Sequence, residues 1–179
     1  IRDALDHHAV SVVVQHQGYA QALRKLTDPP SLVVCDSQVV DHMVADTPEG
    51  VACTTFSILL ARIKGDLDAM TRGVLAVESL KDGDKILVSE SCSHHAIEDD
   101  IGRGKLPKWL KNYTKKALDI QSCAGRDFPE GLGQYKLVIQ CGSCMLNRRE
   151  TLMRIERALA EGVAITNYGV CISYLQGVL

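Results

Sequence analysis

The chain has 179 residues, of which 46% are hydrophobic and 23% charged, and its formal net charge is −2. This composition indicates a globular protein with one sizeable core or two small ones, and the near-neutral charge argues against nucleic-acid binding. No apolar stretch approaches the roughly 18 residues of a membrane-spanning helix, so we expect no membrane association. The seven cysteines, an odd number, fit a disulfide-stapled secreted protein poorly and favour a reducing, cytoplasmic location.

Short apolar runs that are typical of β-strands alternate with helix-like segments along the chain. The predicted strands are residues 10–15, 32–35, 51–54, 85–89, 136–140 and 163–166. Helical patterns cover residues 57–66, 66–80 and 151–160, with Gly162 as a helix stop and Asp36 or Ser37 as a cap for a further helix. This alternation predicts βαβ units with parallel strands. The predicted class is therefore α/β, with two small parallel-sheet domains of the Rossmann or flavodoxin-like kind.

Two cysteine motifs directly follow the fourth and fifth predicted strands. Cys92 and His94 form a Cys-x-His motif, and Cys141 and Cys144 form a Cys-x-x-Cys motif. The carboxyl ends of parallel strands share one edge of a sheet, where ligands bind, so we expect the two motifs to meet there. Thiolates in such a cluster are held deprotonated by a metal.

The residue types alone leave several kinds of site open. Cys-x-x-Cys could be a thiol–disulfide couple, although this leaves the Cys-x-His motif unexplained. Three cysteines and a histidine match a tetrahedral zinc site, and three cysteines could also hold an iron–sulfur cluster with one iron open or weakly ligated. Unrelated structural cysteines are the remaining alternative. The chemistry indicates a metal without naming it.

The other cysteines carry less information. Cys35, Cys53 and Cys171 lie in apolar runs and are predicted to be small core residues. Cys123, in QSCAGRDF, is predicted to be a loop thiol without a role in the site. The segment IGRGK at residues 101–105 is predicted to be a solvated loop.

Four segments resemble the C-terminal part of the hydrogenase maturation GTPase HydF, and the resemblance covers most of the chain. They are FSILLARIKGDL (56–67), ESCSHHAIEDDIGRGKLPKWLKNYTKK (90–116), QCGSCMLNRRE (140–150) and ITNYGVCISYLQGVL (165–179). The family is the scaffold and carrier for assembly of the active-site cluster of iron-only hydrogenases. Membership implies a GTPase domain, a dimerisation domain and a domain that binds a 4Fe–4S cluster.

The resemblance implies that residues 1–60 are most of the dimerisation domain and residues 61–179 the cluster domain. The sequence contains no G-x-x-x-x-G-K-[S/T] motif, so we expect this chain to be a piece of a longer protein that does not itself hydrolyse GTP. No general acid–base pair or Ser-His-Asp arrangement is evident either. We therefore expect no enzymatic activity from these residues.

The family's cluster ligands correspond to Cys92, Cys141 and Cys144, and the histidine of its Cys-x-His pattern corresponds to His94. Gln140 stands where the family usually has a histidine, and Ser143 replaces a common glycine. The fourth iron position is thus open to His94, to a carboxylate or water, or to a group from another domain or subunit.

The family's role further implies a transient di-iron precursor with carbon monoxide and cyanide ligands as cargo. Arg103, Lys105, Arg148 and Arg149 could compensate the charge of this anion. The implied partners are a second copy of the chain, the apo iron-only hydrogenase and the radical enzymes that build the di-iron unit. Two other functions stay open from the residues alone: an electron-transfer iron–sulfur domain and a structural zinc module for protein–protein contacts.

Overall fold

Two parallel β-sheets organise the chain, as the sequence predicts. The structure is a computed structural model that describes residues 1–91, 101–125 and 127–179. Strands β1 (Leu32–Cys35) and β2 (Ala52–Thr55) form a two-stranded parallel sheet in which Leu32 pairs with Ala52. Helices α1 (Arg2–Asp6) and α2 (Tyr19–Lys25) precede this sheet, and α3 (Val40–Asp46) connects its two strands.

The second sheet is larger and has four parallel strands in the order β4-β3-β5-β6. These strands are β3 (Lys85–Ser89), β4 (Asp119–Cys123), β5 (Leu137–Gln140) and β6 (Ala164–Asn167). The helices around it are α4 (Phe56–Lys64), α5 (Leu67–Val74), α6 (Leu106–Thr114), α7 (Arg148–Ala160) and α8 (Tyr168–Leu175). The α/β class with two small parallel-sheet domains is therefore confirmed.

The core lies on the inner strands of the larger sheet. Every residue of β5 is buried, and four of the five residues of β3 are buried as well. A parallel strand covered by helices on both faces has no solvent side, which is why KILVS and KLVIQ read as continuous apolar runs rather than alternating ones. Helix α5 packs directly on β6, and Gly73 is the residue of closest approach.

Several helices begin where the chain offers a capping side chain. The caps accept a backbone N–H of the first turn and are Thr55 for α4, Asp66 for α5, Asn147 for α7 and Asn167 for α8. Thr55 and Asn167 are also the last residues of β2 and β6, so strand and helix follow each other without a loop. Each cap contributes about 1 kcal/mol. The predicted stop after α7 is confirmed, because Gly162 adopts a φ of +71°.

The structure differs from the sequence predictions in two segments and contains one strand that was not predicted. Residues 10–15 form no strand, and Val10 and Val13 are exposed, because no neighbouring strand among the described residues pairs with this run. Strand β4 was missed, because DIQSC has a single aliphatic residue and is held mainly by backbone pairing to β3 at the sheet edge. Residues 101–105 form a π-helical turn that leads into α6, and Gly102 within it is buried, so this segment is not a solvated loop.

No helix in residues 1–91, 101–125 and 127–179 is both long enough and apolar enough to cross a bilayer.

Candidate metal centre

The strands that precede the two cysteine motifs lie at a topological switch point of the larger sheet. From β3 the chain runs outward to the edge strand β4 and then returns to β5 on the other side of β3. In an open parallel sheet, this reversal leaves a crevice outside the carboxyl ends of the two strands that diverge. Ser89 at the end of β3 pairs with Gln140 at the end of β5, and both cysteine motifs follow these two residues in the sequence. The two strands that precede the motifs therefore end side by side at one edge of the sheet.

The described part of this crevice contains a hydrogen-bonded thiol. The Ser91 backbone N–H donates to Cys141 Sγ at 3.1 Å, and the Ser91 hydroxyl lies 3.0 Å from the same sulfur. The Cys141 N–H in turn donates to the Ser89 carbonyl at 2.8 Å. The Cys141 sulfur therefore accepts the Ser91 N–H and has a second polar contact with the Ser91 hydroxyl. Ser91 immediately precedes Cys92 in the sequence, and both Cys92 and His94 lie outside the described residues.

The second cysteine of the motif is accessible. Cys144 is exposed, whereas Cys141 is partly buried. The loop between them turns through Ser143, whose φ is +56°, and closes with a hydrogen bond from the Leu146 N–H to the Ser143 carbonyl. Helix α7 begins four residues after Cys144, at Arg148. The loop thus presents one thiol at the crevice between the strands and one at the surface.

Gln140 and Ser143, the two residues that depart from the family pattern, contact each other. Gln140 is fully buried, and its Nε2 donates to Ser143 Oγ. The left-handed backbone of Ser143 is the conformation in which glycine is favoured, which accounts for the common glycine at this position. Gln140 Oε1 is buried without a hydrogen-bond partner among the described residues. The Gln140 side chain, which stands in place of the family's histidine, is therefore buried and hydrogen-bonded within the loop.

Because of this contact, we expect Ser143→Gly to lower the free energy of unfolding of the natural chain but to raise that of a chain that also carries Gln140→Met. Ser143→Gly relieves about 1 kcal/mol of backbone strain but leaves the buried Gln140 amide without its acceptor, which costs about 1–3 kcal/mol. We expect a net loss of about 1 kcal/mol in the natural chain and a gain of about 1 kcal/mol when Gln140→Met is also present. Urea unfolding of the four proteins measures both values. An effect of the same sign in both backgrounds would contradict the coupling.

Three of the four cations predicted to bind the precursor have protein partners in the structure. Arg103 lies 3.7 Å from the Glu90 carboxylate, and Lys105 Nζ donates to Gln38 Oε1 at 2.7 Å. Arg148 donates from its guanidinium to the Ile63 carbonyl at 2.6 Å. The fourth predicted cation, Arg149, is exposed at the start of α7.

One contact at the cysteine loop was not predicted from the sequence. Lys64, at the end of α4, donates to three carbonyls of the loop that follows β5. The only sequence signal for it is its place in FSILLARIKGDL, a segment of the family resemblance.

The remaining cysteines have structural surroundings. Burial raises the pKa of the Cys171 thiol to about 12, and burial and the nearby Asp36 raise that of Cys35 to about 12, so neither is a thiolate near neutral pH. Cys53 packs against the core from the smaller sheet. Cys123 is the last residue of β4, so its predicted loop position is wrong, and burial raises the pKa of its thiol.

The described residues do not by themselves complete a metal site. Within residues 1–91, 101–125 and 127–179, no three His, Cys, Asp or Glu side chains converge closely enough to hold a metal ion. Two of the four predicted ligands are outside these ranges. The donor chemistry of the described pair nevertheless fits a thiophilic group, because one thiol is hydrogen-bonded as an acceptor and the other is accessible.

Comparison with known families matches nearly the whole chain. The model of the hydrogen maturase F dimerization domain matches residues 1–65, and that of the hydrogen maturase F tetramerization domain matches residues 68–179. No curated protein matches the chain. The two descriptions imply involvement in hydrogenase maturation and self-association of the protein. With both domain models matched in their expected order, the chain belongs to the hydrogen maturase F (HydF) family.

Proposed function

We propose that the chain binds a 4Fe–4S cluster through Cys92, Cys141 and Cys144 and acts as a scaffold or carrier for the di-iron precursor of the iron-only hydrogenase active site. The observation that carries this proposal is the contact between Cys141 Sγ and Ser91, the residue before Cys92, across the ends of β3 and β5. Ser91 and Cys141 are 50 positions apart in sequence, and their contact joins the segment before Cys92 to the Cys-x-x-Cys motif.

The surroundings of the described cysteines support an iron–sulfur ligand set. Hydrogen bonds to a ligating sulfur tune an iron–sulfur cluster, and the Ser91 N–H donates such a bond to Cys141 while the Ser91 hydroxyl lies within hydrogen-bond distance of the same sulfur. A cluster held by only three cysteines keeps one iron available for an exchangeable ligand. The Gln140 side chain is turned to Ser143, so we do not assign it as the fourth ligand, and His94 is the candidate that the sequence offers.

The cargo and its handling follow from this proposal. The precursor would be an anion, and the exposed Arg149 is the predicted cation best placed to meet it at the surface. Arg103, Lys105 and Arg148 would first have to leave or share their present partners. The proposed partners are the apo hydrogenase and the radical enzymes that build the di-iron unit, in the cytoplasm. No GTP hydrolysis or other bond cleavage is assigned to these residues.

Anaerobic reconstitution with iron and sulfide tests the cluster assignment. We expect about four irons and four sulfides per chain, a broad absorption band near roughly 400 nm and an EPR signal after reduction. Cys144→Ala removes an exposed ligand without disturbing the core, so it is expected to lose the cluster and keep the wild-type unfolding midpoint. Iron and sulfide analysis, absorption and EPR measure the first effect, and urea unfolding measures the second.

Cys123→Ala is the matched control, because Cys123 is a partly buried thiol at the carboxyl edge of the same sheet. It is expected to keep its iron. Loss of iron from this variant would contradict the three-cysteine ligand set. Stoichiometric zinc that reconstitution does not displace, with no band near roughly 400 nm, would overturn the cluster and leave a structural zinc module.

The carrier role needs a separate measurement. Protein loaded with the di-iron precursor is expected to activate an apo iron-only hydrogenase, and Cys144→Ala protein treated in the same way is not. If the cluster binds and can be reduced but the loaded protein never activates the hydrogenase, the chain would be an electron-transfer domain instead.

A further inference from the structure

Helix α4 joins the two parts of the molecule directly at the site. It follows β2 of the smaller sheet without a loop, and its second residue, Ser57, contacts the end of β6 in the larger sheet. Asn167 Nδ2 donates to the Ser57 carbonyl at 2.9 Å, and the Gly169 N–H donates to Ser57 Oγ at 3.0 Å. An added Cβ at Gly169 would lie 2.7 Å from Ser57 Cβ, so α4 is also in close contact with the first turn of α8. One end of α4 is thereby fixed beside the carboxyl edge of the larger sheet.

The other end of α4 holds the cysteine loop. Lys64, the last residue of the helix, directs its Nζ to three loop carbonyls, those of Ser143 at 3.4 Å, Cys144 at 3.1 Å and Leu146 at 3.0 Å. An ammonium group has three donors, and here three acceptors surround it. Lys64 is partly buried, so these charge-assisted bonds are less screened by solvent than those of a surface lysine.

A second contact fixes the same loop at its far end. The Arg148 guanidinium donates to the Ile63 carbonyl at 2.6 Å, one of the carbonyls left without a helical partner at the C-terminus of α4. The loop from Cys141 to the start of α7 is thus connected to α4 by four hydrogen bonds from two cations. Without them, its only described internal backbone bond is that of the Leu146 N–H to the Ser143 carbonyl.

We propose that Lys64 is a positioning residue for the metal centre: it fixes the Cys-x-x-Cys loop in one conformation from outside the loop. Its effect on cluster retention rests on the proposed function, whereas its effect on the loop does not. Lys64 lies in the segment matched by the dimerization-domain model, and the loop lies in the segment matched by the tetramerization-domain model. The residue therefore connects the segments that the two domain models match.

Hydrogen exchange of the apo protein tests the loop conformation directly. In Lys64→Met, the loop of residues 141–147 is expected to open more often, because three of its carbonyls lose their donor. The hydrogen-bonded N–H groups of Cys141 and Leu146 are therefore expected to exchange about tenfold faster than in wild type. Lys64→Arg keeps the charge and several donors and is expected to restore most of the protection. Arg62→Met is the matched control, because Arg62 is exposed on the same helix, and it is expected to exchange as wild type.

Cluster retention is the second readout, measured as the rate of iron loss to a chelator after reconstitution. Lys64→Met is expected to lose iron about tenfold faster than wild type, Lys64→Arg less than that, and Arg62→Met at the wild-type rate. The reduced EPR spectrum of Lys64→Met is expected to change in line shape, because the loop that carries two ligands is no longer held in one conformation.

The outcomes separate this inference from the proposed function. Unchanged exchange of residues 141–147 in Lys64→Met would overturn the inference while wild-type cluster binding stands. Equal acceleration in the peptides of β3 and β5 would also overturn it, because it would show a general loss of stability. Wild-type protein that takes up no iron would overturn the proposed function, and the exchange comparison would still decide the role of Lys64 in the loop.

Discussion

Gly73→Ala is expected to destabilise the chain by about 3 kcal/mol or more, because the added methyl group has no space between α5 and β6. An ideal Cβ at Gly73 would lie 1.9 Å from the Ile165 carbonyl oxygen and 2.7 Å from its carbonyl carbon. These are backbone atoms of a buried strand, so a rotamer change cannot relieve the overlap, and the helix must move away from the sheet. The gain of about 1 kcal/mol in helix propensity from glycine to alanine is too small to offset this cost.

Urea unfolding followed by far-UV circular dichroism measures the loss, and Gly133→Ala provides the matched control. An added Cβ at Gly133 would meet only Glu161 Oε2 at 3.7 Å, an ordinary contact, so this variant is expected to stay within about 0.5 kcal/mol of wild type. Equal unfolding midpoints for the two variants would show that α5 does not approach β6 as closely as described.

Arg154→Met is the second substitution with a large expected effect, a loss of about 3 kcal/mol. Arg154 is fully buried, and its guanidinium donates to Ser89 Oγ at 3.2 Å and to the Gly125 carbonyl at 2.8 Å. Its Nε lies 3.3 Å from a Glu150 oxygen, and the Phe128 ring lies 5.0 Å from its central carbon. Methionine keeps much of the apolar contact but leaves the buried Ser89 hydroxyl and the Gly125 carbonyl without this donor.

The expected value is at the lower end for a broken buried ion pair, because the Glu150 side chain is 36% exposed and water can solvate it. Arg149→Met, which removes an exposed guanidinium from the same helix, is the control and is expected to change stability by less than about 0.5 kcal/mol. Unfolding midpoints in urea measure both. A loss in Arg154→Met no larger than in the control would mean that Arg154 contributes no more than a surface residue.

Arg154 also bears on the metal centre. Ser89 ends the strand that leads to the Cys-x-His motif, and its carbonyl accepts the Cys141 N–H. The buried guanidinium therefore supports the end of β3, which precedes the Cys-x-His motif and pairs with the end of β5. Lys64, on α4, supports the cysteine loop, and Arg154, on α7, supports the end of β3.

The buried strands were predictable because their signal is local. KILVS gave the bounds of β3, and the run at residues 136–140 missed those of β5 by one residue. Burial on both faces selects continuous apolar runs, which the sequence displays directly. Composition was misleading where pairing decides: the valines at residues 10–15 have strand composition and no partner strand in the described chain, whereas polar β4 has a partner in β3.

The candidate site was predictable in its residue types and not in its support. The Cys-x-x-Cys motif and the strand before it identify a thiol-rich strand end from eleven consecutive residues, QCGSCMLNRRE. The loop contacts of Lys64 span 79 to 82 positions of sequence, and no periodicity or spacing rule connects them. The hydrogen bond between Gln140 and Ser143 was not predictable from the sequence either, although both residues had been identified as departures from the family pattern.

By itself, the sequence determined the α/β class, the buried strands, the helix stop at Gly162 and the cysteine motifs, because each depends on propensities and periodicities within a few turns of chain. Only the tertiary structure decided the strand order β4-β3-β5-β6, the switch point between β3 and β5, and the position of α4 against the cysteine loop. These features depend on backbone ladders and hydrogen bonds between segments that are distant in sequence, and many arrangements satisfy the same local pattern until packing selects one.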